Sequence, residues 1–145
     1  MSENKYFMSE QEREEIWNKL KEKYPIDEQV KFNEFNINDK LQENMELRIK
    51  YQELYEHELF IYNQLLDKMD TLKGKRYDFY KFESDRNLYK SEIEQYYLPK
   101  DEKILKMKYQ LQKQEQVVKF FKLCMESVEK LYWRIKEFTK NDNLG

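Results

Sequence analysis

The chain has 145 residues but only two glycines, two prolines and one cysteine. Tight turns and sheet corners consume glycine and proline, so their scarcity argues against a strand-rich fold. A lone thiol, Cys124, excludes an internal disulfide framework and suits a reducing cytosol. No run approaches the roughly 18 apolar residues that a membrane span needs, and the stretch from Met1 to Lys23 is charged throughout, unlike an export signal. Histidine occurs once, as His57, and the two isolated glycines cannot build a phosphate-cradling loop. The expectation is a single domain, without a membrane segment, inside a cell.

What is abundant is charge and aromaticity. Charged residues make up 39% of the chain and the polar filler is Glu, Lys and Gln, all good helix formers. Hydrophobic content of 39%, with 12 Tyr and 9 Phe, is enough to build a core. The formal net charge of −2 conceals an asymmetry. Residues 1–70 hold 10 Lys/Arg against 17 Asp/Glu, whereas residues 71–145 hold 17 against 12. An acidic half joined to a basic half provides one face for anions and another for something different.

Local signals divide the chain into helices. Ser9 with Glu12 has the capping-box arrangement, and Ile16, Trp17 and Leu20 give a short amphipathic face that ends at Tyr24-Pro25, predicting a helix over 9–23. Residues 26–38 lack a helical period and read as an extended packed arm. Leu41, Met45, Leu54, Ile61, Leu65, Met69 and Leu72 predict a long helix over 39–72, with Gly74 closing it as a left-handed cap. Residues 75–98 read as a basic-aromatic connector, with a short helix near 85–95.

A second long helix is predicted over 101–139. Its heptad positions carry Ile104, Met107, Leu111, Gln114, Val118, Phe121, Met125, Val128, Tyr132 and Ile135, with Gln114 the one polar intruder, a kind of residue that sets register or oligomer state. A second column, Val117, Cys124, Leu131 and Phe138, widens the stripe. Such a helix is about 58 Å long, while a compact globule of this size is only about 38 Å across. Part of its apolar face therefore lacks cover within a globule. The stripe has two readings, a seam inside one chain and an interface between copies; the overshoot favours some of each.

Little of the chain suits catalysis. His57 stands beside Glu53, Glu56 and Glu58, but without a second His or a nearby thiol it is poor zinc spacing. Leu54 breaks the Glu-x-x-His pair of di-iron bundles. The reading is a solvated histidine, a buried structural Cys124, no metal, no cofactor and no enzymatic activity.

The informative stretch runs from Lys68 to Lys90. It interleaves Lys68, Lys73, Lys75, Arg76, Lys81, Arg86 and Lys90 with Tyr77, Phe79, Tyr80, Phe82 and Tyr89. Cations neutralise phosphates and release counterions while aromatic faces stack unpaired bases, which is the mixture that single-stranded nucleic acid requires. The alternative is that the rings pack the connector onto the helices and the cations are its solvated side. Lys100, Lys103, Lys106, Lys108 and Lys113 extend the basic surface or are simply a wet helix exterior.

An ordered set of residues resembles the UvsY family of recombination mediators of T-even-like bacteriophages. The set comprises Asp85-Arg86, Tyr89-Lys90-Ser91-Glu92, Leu98, Asp101 and Ile104, then Phe121-Lys122-Leu123-Cys124 and Ile135-Lys136. Upstream, Leu20-Lys21, Ile26-Asp27 and the helix ending at Gly74 fall in the same order, so the resemblance spans about 15–138. It implies a protein of the host cytoplasm that forms a ring, a hexamer or heptamer, and binds single-stranded DNA coated by the phage single-strand-binding protein. It further implies loading of a RecA-like recombinase without nucleotide hydrolysis. In the family, basic residues near the end of the first long helix contact DNA. Lys68 occupies one such position, but Leu66 stands two residues earlier and Thr71-Leu72 replaces an aromatic pair. Binding then leans on Lys73, Lys75, Arg76 and Lys81.

The combined expectation is an all-α subunit, two long helices in an elongated antiparallel hairpin plus a short N-terminal helix, assembled into a homo-oligomeric ring. Its DNA site comprises Lys68, Lys73, Lys75, Arg76, Tyr77, Tyr80, Lys81, Arg86 and Lys90. Leu111, Val118, Phe121, Met125, Val128, Tyr132 and Ile135 form its subunit interface. The rival is a coiled-coil adaptor or scaffold without DNA affinity, docking proteins through the acidic half.

Overall fold

The computed structural model describes residues 6–144, with side chains through residue 141; residues 1–5 and 145 of the expected 1–145 unit lie outside the described residues. The described residues are helical with no strand. They form α1 (Glu10–Lys23), a single turn α2 (Ile26–Gln29), α3 (Ile37–Asp78), a short α4 (Lys90–Glu92) and α5 (Glu102–Leu144).

Helix α1 starts where Ser9 caps it, its Oγ accepting the Glu12 backbone N–H at 3.1 Å. The reciprocal half of the capping box is absent, because the Glu12 carboxylate instead accepts the Tyr109 O–H from α5. Trp17 Nε1 donates to Gln116 Oε1 at 2.9 Å, and the Trp17 ring meets Phe120 edge-on at 5.5 Å. These contacts lay α1 parallel to the first half of α5. Residues 24–32 continue in the same direction. Tyr24 packs edge-on against Phe121, Arg134 donates to the Val30 carbonyl, and Phe32 meets Phe138. The expected extended arm contains the turn α2, and it reverses at Asn33, whose Oδ1 accepts the N–H groups of Phe35 and Asn36.

Helices α3 and α5 are 42 and 43 residues long, so each spans about 63–65 Å. They pack antiparallel in a constant register. Asn44 Nδ2 donates to the Val128 carbonyl, Tyr51 lies against Phe121, and Gln114 Nε2 donates to the Glu58 carbonyl. Fourteen residues up α3, from 44 to 58, match fourteen back along α5, from 128 to 114. Gln114, the polar intruder of the heptads, thus ties one helix of the chain to the other, and also donates to the Glu58 carboxylate at 2.6 Å.

The central core joins Ile26, Tyr51, Phe120, Phe121, Cys124 and Val128, with Trp17, Leu20, Tyr24 and Leu54 against it. Burial pushes the Cys124 thiol up to about 12, so it remains protonated. The seam on α5 runs through Phe121, Cys124, Val128, Leu131 and Ile135, all buried. It runs between the two columns, taking Phe121, Val128 and Ile135 from the first and Cys124 and Leu131 from the second.

Two expectations are corrected at the ends of the helices. Gly74 is not a left-handed cap; no described residue has a positive φ, and α3 runs through Gly74 to Asp78 before widening into a π-turn over Phe79–Glu83. An exposed glycine costs a helix about 1 kcal/mol relative to alanine, which the packing of Arg76 and Tyr80 beyond it offsets. The connector is accordingly no loose loop. Leu88 and Ile93 are buried, and the chain returns through a second π-turn, Ile93–Tyr97, to α5.

Candidate nucleic-acid interface

The end of α3 and the start of α5 are joined by a buried polar clasp. Arg76 Nε donates to Asp101 Oδ2 at 2.8 Å and the Tyr80 O–H donates to the same oxygen at 2.6 Å. Asp101 Oδ1 accepts the Ile104 N–H at 3.1 Å, capping α5. Burial alone would raise the Asp101 carboxyl, yet the bonds from Tyr80, Arg76 and Ile104 outweigh it and hold the group below its usual range. Burial and the Asp101 acceptor both raise the Tyr80 phenol, keeping it a donor. The Arg76 guanidinium also lies 4.3 Å from the Phe79 ring centre.

This geometry divides the basic-aromatic stretch. Arg76 and Tyr80 are committed to the clasp and are half-buried, so they are withdrawn from the expected DNA-contacting set. Lys81 is half-buried and donates to the Leu88 carbonyl at 3.0 Å, which holds the connector closed. Tyr77 is half-buried. Arg86 is exposed, but it donates to the Tyr97 hydroxyl at 2.7 Å. Lys90 is exposed and lies 4.0 Å from Glu94.

Lys68, Lys73 and Lys75 are exposed and make no ion pair among the described residues. Lys68 and Lys75 stand seven residues apart, two turns along one face of α3. Across the hairpin, Lys100 in the turn before α5 and Lys103, Lys106 and Lys108 at its start are exposed and likewise make no ion pair among the described residues. Lys73 and Lys108 flank a cleft of about 510 Å³ whose floor includes Met69, Leu98 and Ile104. Seven cations, from α3, the turn before α5 and α5 itself, thus share one end of the rod. Sequence reasoning treated the lysines from 100 onwards as an optional extension; the antiparallel register brings them beside 68–75. Their signal was present as a lysine-rich start to α5.

The stripe proposed as a subunit interface also divides. Phe121, Val128 and Ile135 are buried inside the chain, so as interface residues they are corrected to core. Leu111, Val118, Met125 and Tyr132 are half-buried along one side of α5. Met125 shares a groove with Gln52 and Tyr55 of α3, and Met45 and Ile49 of α3 are exposed. His57 is exposed, and no group of three or more His, Cys, Asp or Glu among the described residues is gathered to hold a metal ion. No helix among the described residues is long and apolar enough to cross a membrane.

Residues 7–145, nearly the whole chain, match the family described as "Recombination, repair and ssDNA binding protein UvsY". Comparison with curated proteins and with solved structures gave no match.

Proposed function

The chain belongs to the UvsY family of recombination, repair and single-stranded-DNA-binding proteins, and from that premise we propose that it is a recombination mediator of a bacteriophage, acting in the host cytoplasm. It binds single-stranded DNA, works on strands coated by the phage single-strand-binding protein, and loads a RecA-like recombinase without being an enzyme. The observation that carries this reading is the convergence, at one end of the hairpin, of seven exposed lysines from α3, the turn before α5 and α5, none in an ion pair among the described residues. Such a cluster takes phosphates by counterion release and is sensitive to salt.

Copies of the subunit assemble into a homo-oligomeric ring through the half-open face formed by Leu111, Val118, Met125 and Tyr132. Each lysine cluster is weak alone. Copies linked in a ring gain avidity through effective concentration, while each contact remains weak enough for a recombinase to displace.

The direct test is fluorescence anisotropy with a labelled single-stranded oligonucleotide across a salt series. Replacing Lys68, Lys73 and Lys75 together by Ala is expected to weaken binding. It should also make the slope of log K against log salt shallower by about 2, at about 0.7 per neutralised phosphate contact on a single strand. An unchanged slope removes this patch from the site. Wild-type protein that ignores the oligonucleotide at low salt leaves the adaptor reading instead. Mediation is tested separately, by whether the protein speeds recombinase filament assembly on a strand already covered by single-strand-binding protein.

A further inference from the structure

Residues 77–97 hold seven aromatic rings, and the fold treats them in two ways. Tyr77, Phe79, Tyr80 and Tyr97 are half-buried. Phe79 meets Tyr80, Tyr80 meets Tyr97, each pair at 5.3 Å, and they wrap the clasp. Phe82, Tyr89 and Tyr96 stand outside this cluster with 75%, 70% and 62% of their surface exposed. None of the three stacks on another ring among the described residues. Tyr96 walls an open cleft of about 430 Å³ with Tyr80, Glu92, Tyr97 and Lys100.

These rings are presented on a rigid base. The Ser84 N–H donates to the Phe79 carbonyl at 2.9 Å and the Ser84 hydroxyl to the Tyr80 carbonyl at 2.8 Å. Lys81 holds Leu88, Arg86 holds Tyr97, and Leu88 and Ile93 are buried beneath. Apolar rings held in water on an ordered scaffold lose little freedom when a flat partner covers them.

The charge of this segment decides what that partner is. Residues 79–99 carry three Lys/Arg (Lys81, Arg86, Lys90) against four Asp/Glu (Glu83, Asp85, Glu92, Glu94), a balance of −1. Phosphates therefore have no net reason to settle on the connector, unlike the lysine shoulder on α3 and α5 beside it. Bases are uncharged at neutral pH and every base has a π-face. We propose that Phe82, Tyr89 and Tyr96 form a base-stacking platform at the tip of the hairpin, with phosphates of the same strand held on the lysine shoulder and one base entering the Tyr96 cleft.

The proposal rests on the single-stranded-DNA reading but separates from it experimentally. The probes are a labelled oligothymidylate and an abasic oligonucleotide of the same length, read by anisotropy on the full chain. Phe82→Ala, Tyr89→Ala and Tyr96→Ala combined are expected to weaken oligothymidylate binding tenfold or more, at about 1–3 kcal/mol per stacked base. Abasic binding and the salt slope should stay as in wild type, and Tyr96→Phe should bind as wild type does. Circular dichroism and light scattering confirm fold and assembly in each variant. Equal losses on the two probes overturn the proposal, because they place the rings in the scaffold. So does full oligothymidylate binding by the triple variant, or a change in assembly size that tracks the loss, which makes the platform a protein contact. Failure of the wild type to bind either probe sinks the parent reading itself.

Discussion

Asp101 shows how much one side chain can organise. Its carboxylate takes Arg76 of α3 and Tyr80 of the π-turn after it on one oxygen and the first turn of α5 on the other, and the side chain is only 2% exposed. Losing one member of a buried ion pair strands the other, at about 3 kcal/mol. Asp101→Ala is therefore expected to lower unfolding stability by about that amount in urea denaturation. An effect within about 0.5 kcal/mol, the level of an ordinary surface change, would show that the clasp is idle. The pH dependence follows from the lowered carboxyl. Because its folded value lies below the unfolded value of about 3.9, the contribution is full above about pH 4 and disappears as pH falls through the folded value. The stability margin of wild type over Asp101→Asn should narrow in that acid range. A margin that stays constant there would mean that the carboxylate charge is not what Arg76 and Tyr80 recognise. Arg76 was legible as a cation and Tyr80 as a ring. That both serve a carboxylate some twenty residues later was not, because no local pattern encodes that pairing.

At the level of elements, the wide apolar stripe of α5 was readable from heptad spacing, and so was the antiparallel partner. Its centre line was not. The stripe carries two columns, and periodicity alone assigns neither to the seam. Buried Phe120, the α1 ring Trp17 and the register with α3 turn the seam to a line between them, through Phe121, Cys124, Val128 and Leu131. The end of α3 was misread for a related reason. Gly74 signals a cap in isolation, but packing of the turns beyond it carries the helix onward. Asn44 is the polar exception inside the seam, fully buried, with Nδ2 on the Val128 carbonyl and Oδ1 lacking a partner among the described residues. Burying an unmatched acceptor costs about 1–3 kcal/mol. Asn44→Leu is expected to raise the urea midpoint, the unfolding free energy gaining about 1 kcal/mol after loss of the one hydrogen bond. A lowered midpoint would show that the site cannot accept the larger shape.

For the molecule as a whole, a rod more than 60 Å long leaves one flank of α5 half-covered. Substitutions that probe the proposed assembly belong on that flank, since Phe121, Val128 and Ile135 report folding instead. Val118→Glu with Met125→Glu is expected to reduce the assembly to smaller species by light scattering while the helical circular dichroism signal is kept. An unaltered assembly would move the interface elsewhere, for example to Met45 and Ile49 of α3, which are exposed. The same rod explains how distant lysines meet. Antiparallel packing folds residues 100–108 back beside 68–75, so a chain of net charge −2 displays a basic end.

Composition and period by themselves determined that this chain is helical, that two long helices pair, and that its basic residues concentrate after residue 70. Those properties follow from backbone propensity and from the 3.6-residue repeat, which act over a few neighbouring residues. Tertiary structure alone decided which cations remain exposed, which rings are left in water, and which residues of the two apolar columns are spent inside the chain. Each of those outcomes depends on competition for the same partner between groups far apart in sequence, and only the packed register settles who wins it.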